Sequence, residues 1–91
     1  MPAVFDRVDR VVVGSVGDDR SSRLAARALL MAGREVVFVG ADQSVEEIAR
    51  TVVAEDAGTV VVDASAEVLD ELRAVLRTLG RPDVNVKNCG E

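Results

Sequence analysis

A chain of 91 residues with 48% apolar and 30% charged side chains has material for one globular domain around a modest core. A net charge of −5 and only two aromatic residues, Phe5 and Phe38, work against a nucleic-acid partner, which needs basic surface and stacking faces. No run approaches the roughly 18 apolar residues of a membrane span. Met1 to Arg10 carries charges and no apolar signal core, and the single cysteine, Cys89, fits a reduced cytoplasmic setting.

Residues 1–7 read as a lead-in to one domain covering 1–91. Val8 to Gly14 is an apolar, β-branched run of the length of a strand buried on both faces. Ser21 to Ala32 follows as a helix with Leu24, Ala25, Ala28, Leu29 and Ala32 on one stripe and Gly33 at the C′ position. Glu35 to Val39 is a second strand, closed by Gly40. Ser44 and Glu47 have capping-box spacing, and the helix they open turns Ile48, Ala49, Val52 and Val53 inward and ends near Asp56. Thr59 to Asp63 is a third strand. Ser65 caps a long helix with Val68, Leu69, Leu72, Val75, Leu76 and Leu79 on one side, stopped by Gly80 and Pro82. Asp83 to Lys87 alternates as a weak fourth strand, and residues 87–91 form a tail. This strand–helix alternation predicts an α/β fold with a parallel sheet and right-handed crossovers.

The residues then resemble a family. Arg20 to Val39, with Ala26-Arg27-Ala28-Leu29 and Ala32-Gly33-Arg34-Glu35-Val36-Val37-Phe38-Val39-Gly40, is similar to the cobalamin-binding domain of methylmalonyl-CoA mutase and its relatives. Gln43 to Ala49 and Ala54 to Gly58 extend the similarity, which covers about residues 9 to 86. The resemblance implies a three-layer flavodoxin-like (Rossmann-like) fold, here truncated to about four strands and three helices. It implies cobalamin, such as adenosylcobalamin, over the carboxyl ends of the strands with a loop histidine as lower ligand. The family's Asp-x-His-x-x-Gly falls on Val16, Asp18 and Ser21, and the chain contains no histidine at all. Its Ser-x-Leu falls on Asp63-Ala64-Ser65, and its Gly-Gly is replaced by Asn88-Cys89-Gly90. Carboxylate oxygen is a poor exchange for imidazole at cobalt.

Candidate ligand-binding residues at the switch-point loops are Gly14, Ser15, Gly17, Asp18, Asp19, Ser21, Asp63 and Ser65. Asp18, Asp19 and Asp63 form a possible Mg²⁺ set, and Asp63 resembles the phospho-acceptor of receiver domains, with Lys87 the one candidate for that family's lysine. Against this, Asp18 and Asp19 suit a helix N-terminus on capping and dipole grounds alone. Gly14-x-x-Gly17 lacks the Lys-Ser/Thr of a P-loop, so a tight turn explains it. Cys89 has no base beside it in sequence and reads as an exposed tail thiol. Only one helix is available for one sheet face, so an uncovered apolar face and an open fourth-strand edge are expected.

These features lead to an expected role without catalysis: an oligomerisation, regulatory or partner-binding module, either a homo-oligomer or a companion of a larger acyl-CoA mutase. A mutase subunit that binds cobalamin without a histidine ligand is the cofactor-class alternative, and the three-aspartate site is the enzyme or signalling alternative.

Overall fold

A computed structural model of the chain describes residues 10–89. Strand and helix alternate throughout: β1 (Arg10–Ser15), α1 (Arg20–Met31), β2 (Glu35–Gly40), α2 (Val45–Ala54), β3 (Thr59–Asp63), α3 (Ala66–Thr78) and β4 (Asn85–Asn88). The strands form one all-parallel sheet in the order β2-β1-β3-β4. The fold is therefore the expected α/β class, a truncated flavodoxin-like three-layer arrangement. Val8 and Asp9, the lead at 1–7, and Gly90 and Glu91 at the end of the expected tail lie outside the described residues.

Side chains alternate across the central strands, as a two-residue period requires. Val12, Val60, Val62 and Val86 point to one face and join α2 and α3 in a core of thirteen buried residues, including Ile48, Val52, Leu69, Leu72 and Leu76. Val11, Val13 and Val61 point to the other face, where, among the described residues, the buried apolar contribution from α1 is Ala26, with Ala25 and Leu29 partly buried beside it. Hydrophobic burial stabilises roughly in proportion to apolar area removed from water. The α2/α3 side therefore carries most of the folding free energy.

The helix boundaries follow the local chemistry. Ser44 accepts from the Glu47 amide at 3.1 Å while the Glu47 carboxylate accepts from the Ser44 amide at 2.8 Å, which completes the capping box of α2. The Ser65 hydroxyl accepts from the Val68 amide at 3.2 Å and opens α3. Gly33 and Gly80, at φ of +84° and +80°, end α1 and α3 in the left-handed conformation that glycine adopts without a Cβ penalty.

Several expected details are corrected. On α1, Leu24, Ala28 and Ala32 are exposed, Leu24 at 66%, whereas Ser22 and Ala26 are buried. The helix is rotated because the Ser22 hydroxyl is anchored to β1. The faces that meet the sheet are then Ser22–Ala26 and Ala25–Leu29, one turn apart in each case. Val53 and Leu79 are exposed too, since they sit on the outer margins of α2 and α3. The fourth strand begins at Asn85 and not Asp83; Val84 is buried just ahead of it.

Two arginines fasten the amino-terminal ends of the strands. Arg10 donates through Nε and Nη2 to Glu35 Oε2, at 3.0 and 2.7 Å, and through Nη1 to the Glu55 carbonyl at 2.8 Å. Arg81 donates to Asp56 Oδ1, the Ala57 carbonyl and Asp83, at 3.0, 2.9 and 3.1 Å. The planar guanidinium fork makes such three-way clamps possible.

Candidate functional site

In a 2-1-3-4 sheet, β1 and β3 lie side by side while their following helices go to opposite faces, which opens a crevice at their carboxyl ends. Here the backbone of that crevice is committed to its neighbours. The Val16 amide donates to the Asp63 carbonyl at 3.4 Å, Gln43 donates to the Ser15 carbonyl at 2.9 Å, and Asp42 donates to the Gly17 carbonyl at 2.9 Å. Beneath the loop, the Ser15 hydroxyl donates to Ser22 Oγ at 2.7 Å, and Ser22 Oγ donates to the Asp19 carbonyl at 3.1 Å. Both serines are fully buried, so this chain of hydroxyls is satisfied internally.

Gly14 lies inside β1 and serves packing. A Cβ there would stand 2.5 Å from Val39 Cγ2, at the point where the β1–β2 register shifts between Val13 and Gly14. Gly17 has open space around its Cα and sits on the exposed turn.

The three aspartates are not drawn together. Asp18 Oδ1 accepts from the Arg20 amide at 3.0 Å. Asp19 occupies the N-cap of α1 without a side-chain cap bond, and its Oδ2 accepts from Arg23 Nε at 2.9 Å. Asp63 ends β3 half-buried, beside a groove on the α1 face, with exposed Ser21 at the same groove's upper end. Ser65 is engaged as the α3 cap. Among the described residues, no group of three or more His, Cys, Asp or Glu side chains is placed to hold a metal ion.

A groove opens on the α1 face. It runs along α1 over β3 and β4, has a volume of about 400 Å³, and is lined on its apolar side by Val11, Ala25, Ala28, Leu29 and Val61. Its upper end continues past Leu24 to Asp63 and Asn88. The expectation of a bare apolar sheet under this face needs correction. Val61 is only 7% exposed, because α1 already covers it, and the β4 side chains that line the groove are the polar Asn85 and Lys87. Apolar exposure lies instead on the helix, at Leu24 and Met31.

Cys89 is likewise not an exposed tail thiol. It is half-buried against the smaller core, lines the groove, and its amide donates to the Val62 carbonyl at 3.2 Å. Burial, and then the charge of Asp63, push its thiol up to about 11, so it is protonated at neutral pH and a weak nucleophile. Sequence reasoning missed Ser22 and Asn88. Asn88 donates through Nδ2 to the Ala64 carbonyl at 2.6 Å and so ties β4 to the loop after β3. A serine in the first turn of a helix and an asparagine at the end of a strand carry no pattern that singles them out. Among the described residues, no helix is long and apolar enough to cross a membrane.

No protein-family model and no curated protein matches the chain.

Proposed function

We propose that this chain is a cytoplasmic docking module without chemistry of its own, a degenerate member of the cobalamin-binding-domain lineage, and that its groove receives a helix of a partner protein. The observation that carries this reading is the groove beside α1. Ala25 and Ala28 let a second helix approach at the usual interaxial distance of about 8–10 Å, and Leu24 and Leu29 supply the apolar wall. The charges along it favour one direction. Asp63 stands at the end near the start of α1, and Arg34 lines the end near its finish. A helix running parallel to α1 places its positive amino-terminal dipole at Asp63 and its negative carboxyl-terminal dipole at Arg34.

The resemblance in sequence makes an acyl-CoA mutase-type protein the first partner class to test. Calorimetry of the purified chain with such a large subunit should show binding that Ala28→Glu abolishes by filling the groove with a charge. Binding that survives Ala28→Glu would remove the groove from the reading. A parallel titration with adenosylcobalamin and hydroxocobalamin follows the visible spectrum. No spectral change is expected, and stoichiometric uptake would establish the cofactor-carrying alternative instead.

A further inference from the structure

We infer that Arg73 is a strap across the open edge of β4, a removable block that stops another copy of this chain from adding a strand there. The inference concerns the α3 side of that edge and stands independently of what the groove binds. β4 pairs with β3 on one side and, among the described residues, has no strand on the other. The Asn85 and Cys89 amides donate inward, to the Gly58 and Val62 carbonyls at 3.0 and 3.2 Å. Backbone groups reverse direction with each residue of a strand, so those of Val86 face outward.

That outward carbonyl is already taken. Arg73, on α3, donates through Nη2 to the Val86 oxygen at 3.1 Å and through Nη1 to Asp70 Oδ1 at 2.9 Å. Asp70 stands one turn back on the same helix and holds the guanidinium from that side. A strand arriving at this edge needs the Val86 carbonyl as an acceptor for its own ladder, because an edge pairs through its open backbone groups. It has to displace Arg73 first. The strap is a light one. Arg73 is 46% exposed and Asp70 77%, and an ion pair so open to water is worth little. What it withholds is one hydrogen bond at the middle of a four-residue strand. Lys87 stands on the other face of the same strand, where it lines the groove, so the edge carries a cation on each face.

Sedimentation equilibrium of the purified chain, combined with hydrogen exchange at the Val86 amide, tests the strap. Arg73→Ala keeps a strong helix former at this position of α3, so the fold is retained. It should self-associate at least about threefold more tightly than wild type, the equivalent of one net hydrogen bond. The outward Val86 amide should exchange more slowly as the concentration of Arg73→Ala rises, and the wild-type amide should not follow it. Arg77→Ala removes the same charge one turn further along α3 and should stay within about twofold of wild type. Association of Arg73→Ala no tighter than that of wild type would overturn the inference. So would equal tightening by Arg77→Ala, which makes net charge the cause. Tighter association with Val86 exchange unchanged would overturn it as well, because the contact then lies away from β4.

Discussion

The two edges of the sheet show opposite treatments of the same hazard. β4 is four residues long, presents Asn85 and Lys87 on one face, buries Val86 on the other, and is tied down by Asn88 and by the Arg81 clamp ahead of it. β2 is six residues long and apolar from Val36 to Val39, with only Glu35 engaged at its start by Arg10. An open strand is a template for another strand, and lysine on the edge is a standard deterrent. The contrast teaches that exposure by itself is a poor guide to where a partner binds. The edge lying under the thinly covered face is the protected one, while the edge beside α1 is left available.

Substitutions at five positions break or sharpen that contrast. The largest effect is expected from Gly14→Val. Its side chain would collide with Val39 at the register shift and push β2 off β1, at a cost of about 1–3 kcal/mol in a urea melt. Adding Val39→Ala should recover part of that loss, because the clash is with that one methyl. Next, Lys87→Val gives β4 an edge like that of β2. Light scattering should then show several-fold stronger self-association and assemblies larger than those of wild type. An unchanged particle size would mean that Lys87 does not protect the edge.

The smallest effect concerns acid. Hydrogen bonds from Ser44, from its backbone amide first and then its hydroxyl, hold the Glu47 carboxyl below its ordinary range, and the Arg81 side chain does the same for Asp83. A carboxylate lowered in the folded state adds stability above its unfolded pKa, and that stability is lost as pH falls through the lowered folded value, here below the ordinary carboxylate range. Glu47 lies in the first turn of α2, which follows β2, and Asp83 lies just before β4, so acid loosens both regions. Glu47→Gln keeps an acceptor for the Ser44 amide and should flatten the pH dependence of the thermal midpoint in part, leaving the share that Asp83 contributes. A slope identical to wild type would contradict the Glu47 assignment. Ser44→Ala, which removes the cap itself, should cost about 1 kcal/mol at neutral pH.

Much of the fold was legible because each element announces itself locally. The shift from two-residue to three-to-four-residue apolar spacing, the Ser44–Glu47 pair, Ser65, and the glycines at 33 and 80 all act within a few residues of the boundary they set. The rotation of α1 was not legible. Leu24 is a far better hydrophobe than Ser22, yet the helix turns Ser22 inward because it has a hydrogen-bond partner in Ser15, a pairing visible only once strand and helix are docked. The candidate site shows the same division. That the loops after β1 and β3 meet follows from topology, but the separate engagements of Asp18 with the Arg20 amide and Asp19 with Arg23 depend on side-chain geometry that spacing does not encode.

The two stacked hydroxyls of Ser15 and Ser22 have a further consequence. Both protons point the same way, toward the Asp19 carbonyl, so neither is available to an incoming molecule. The first turn of α1 is thereby riveted to the strand beneath it from inside. A helix lodged against the outer side of α1 would meet a wall whose orientation is already fixed, and its binding need spend little on ordering that wall.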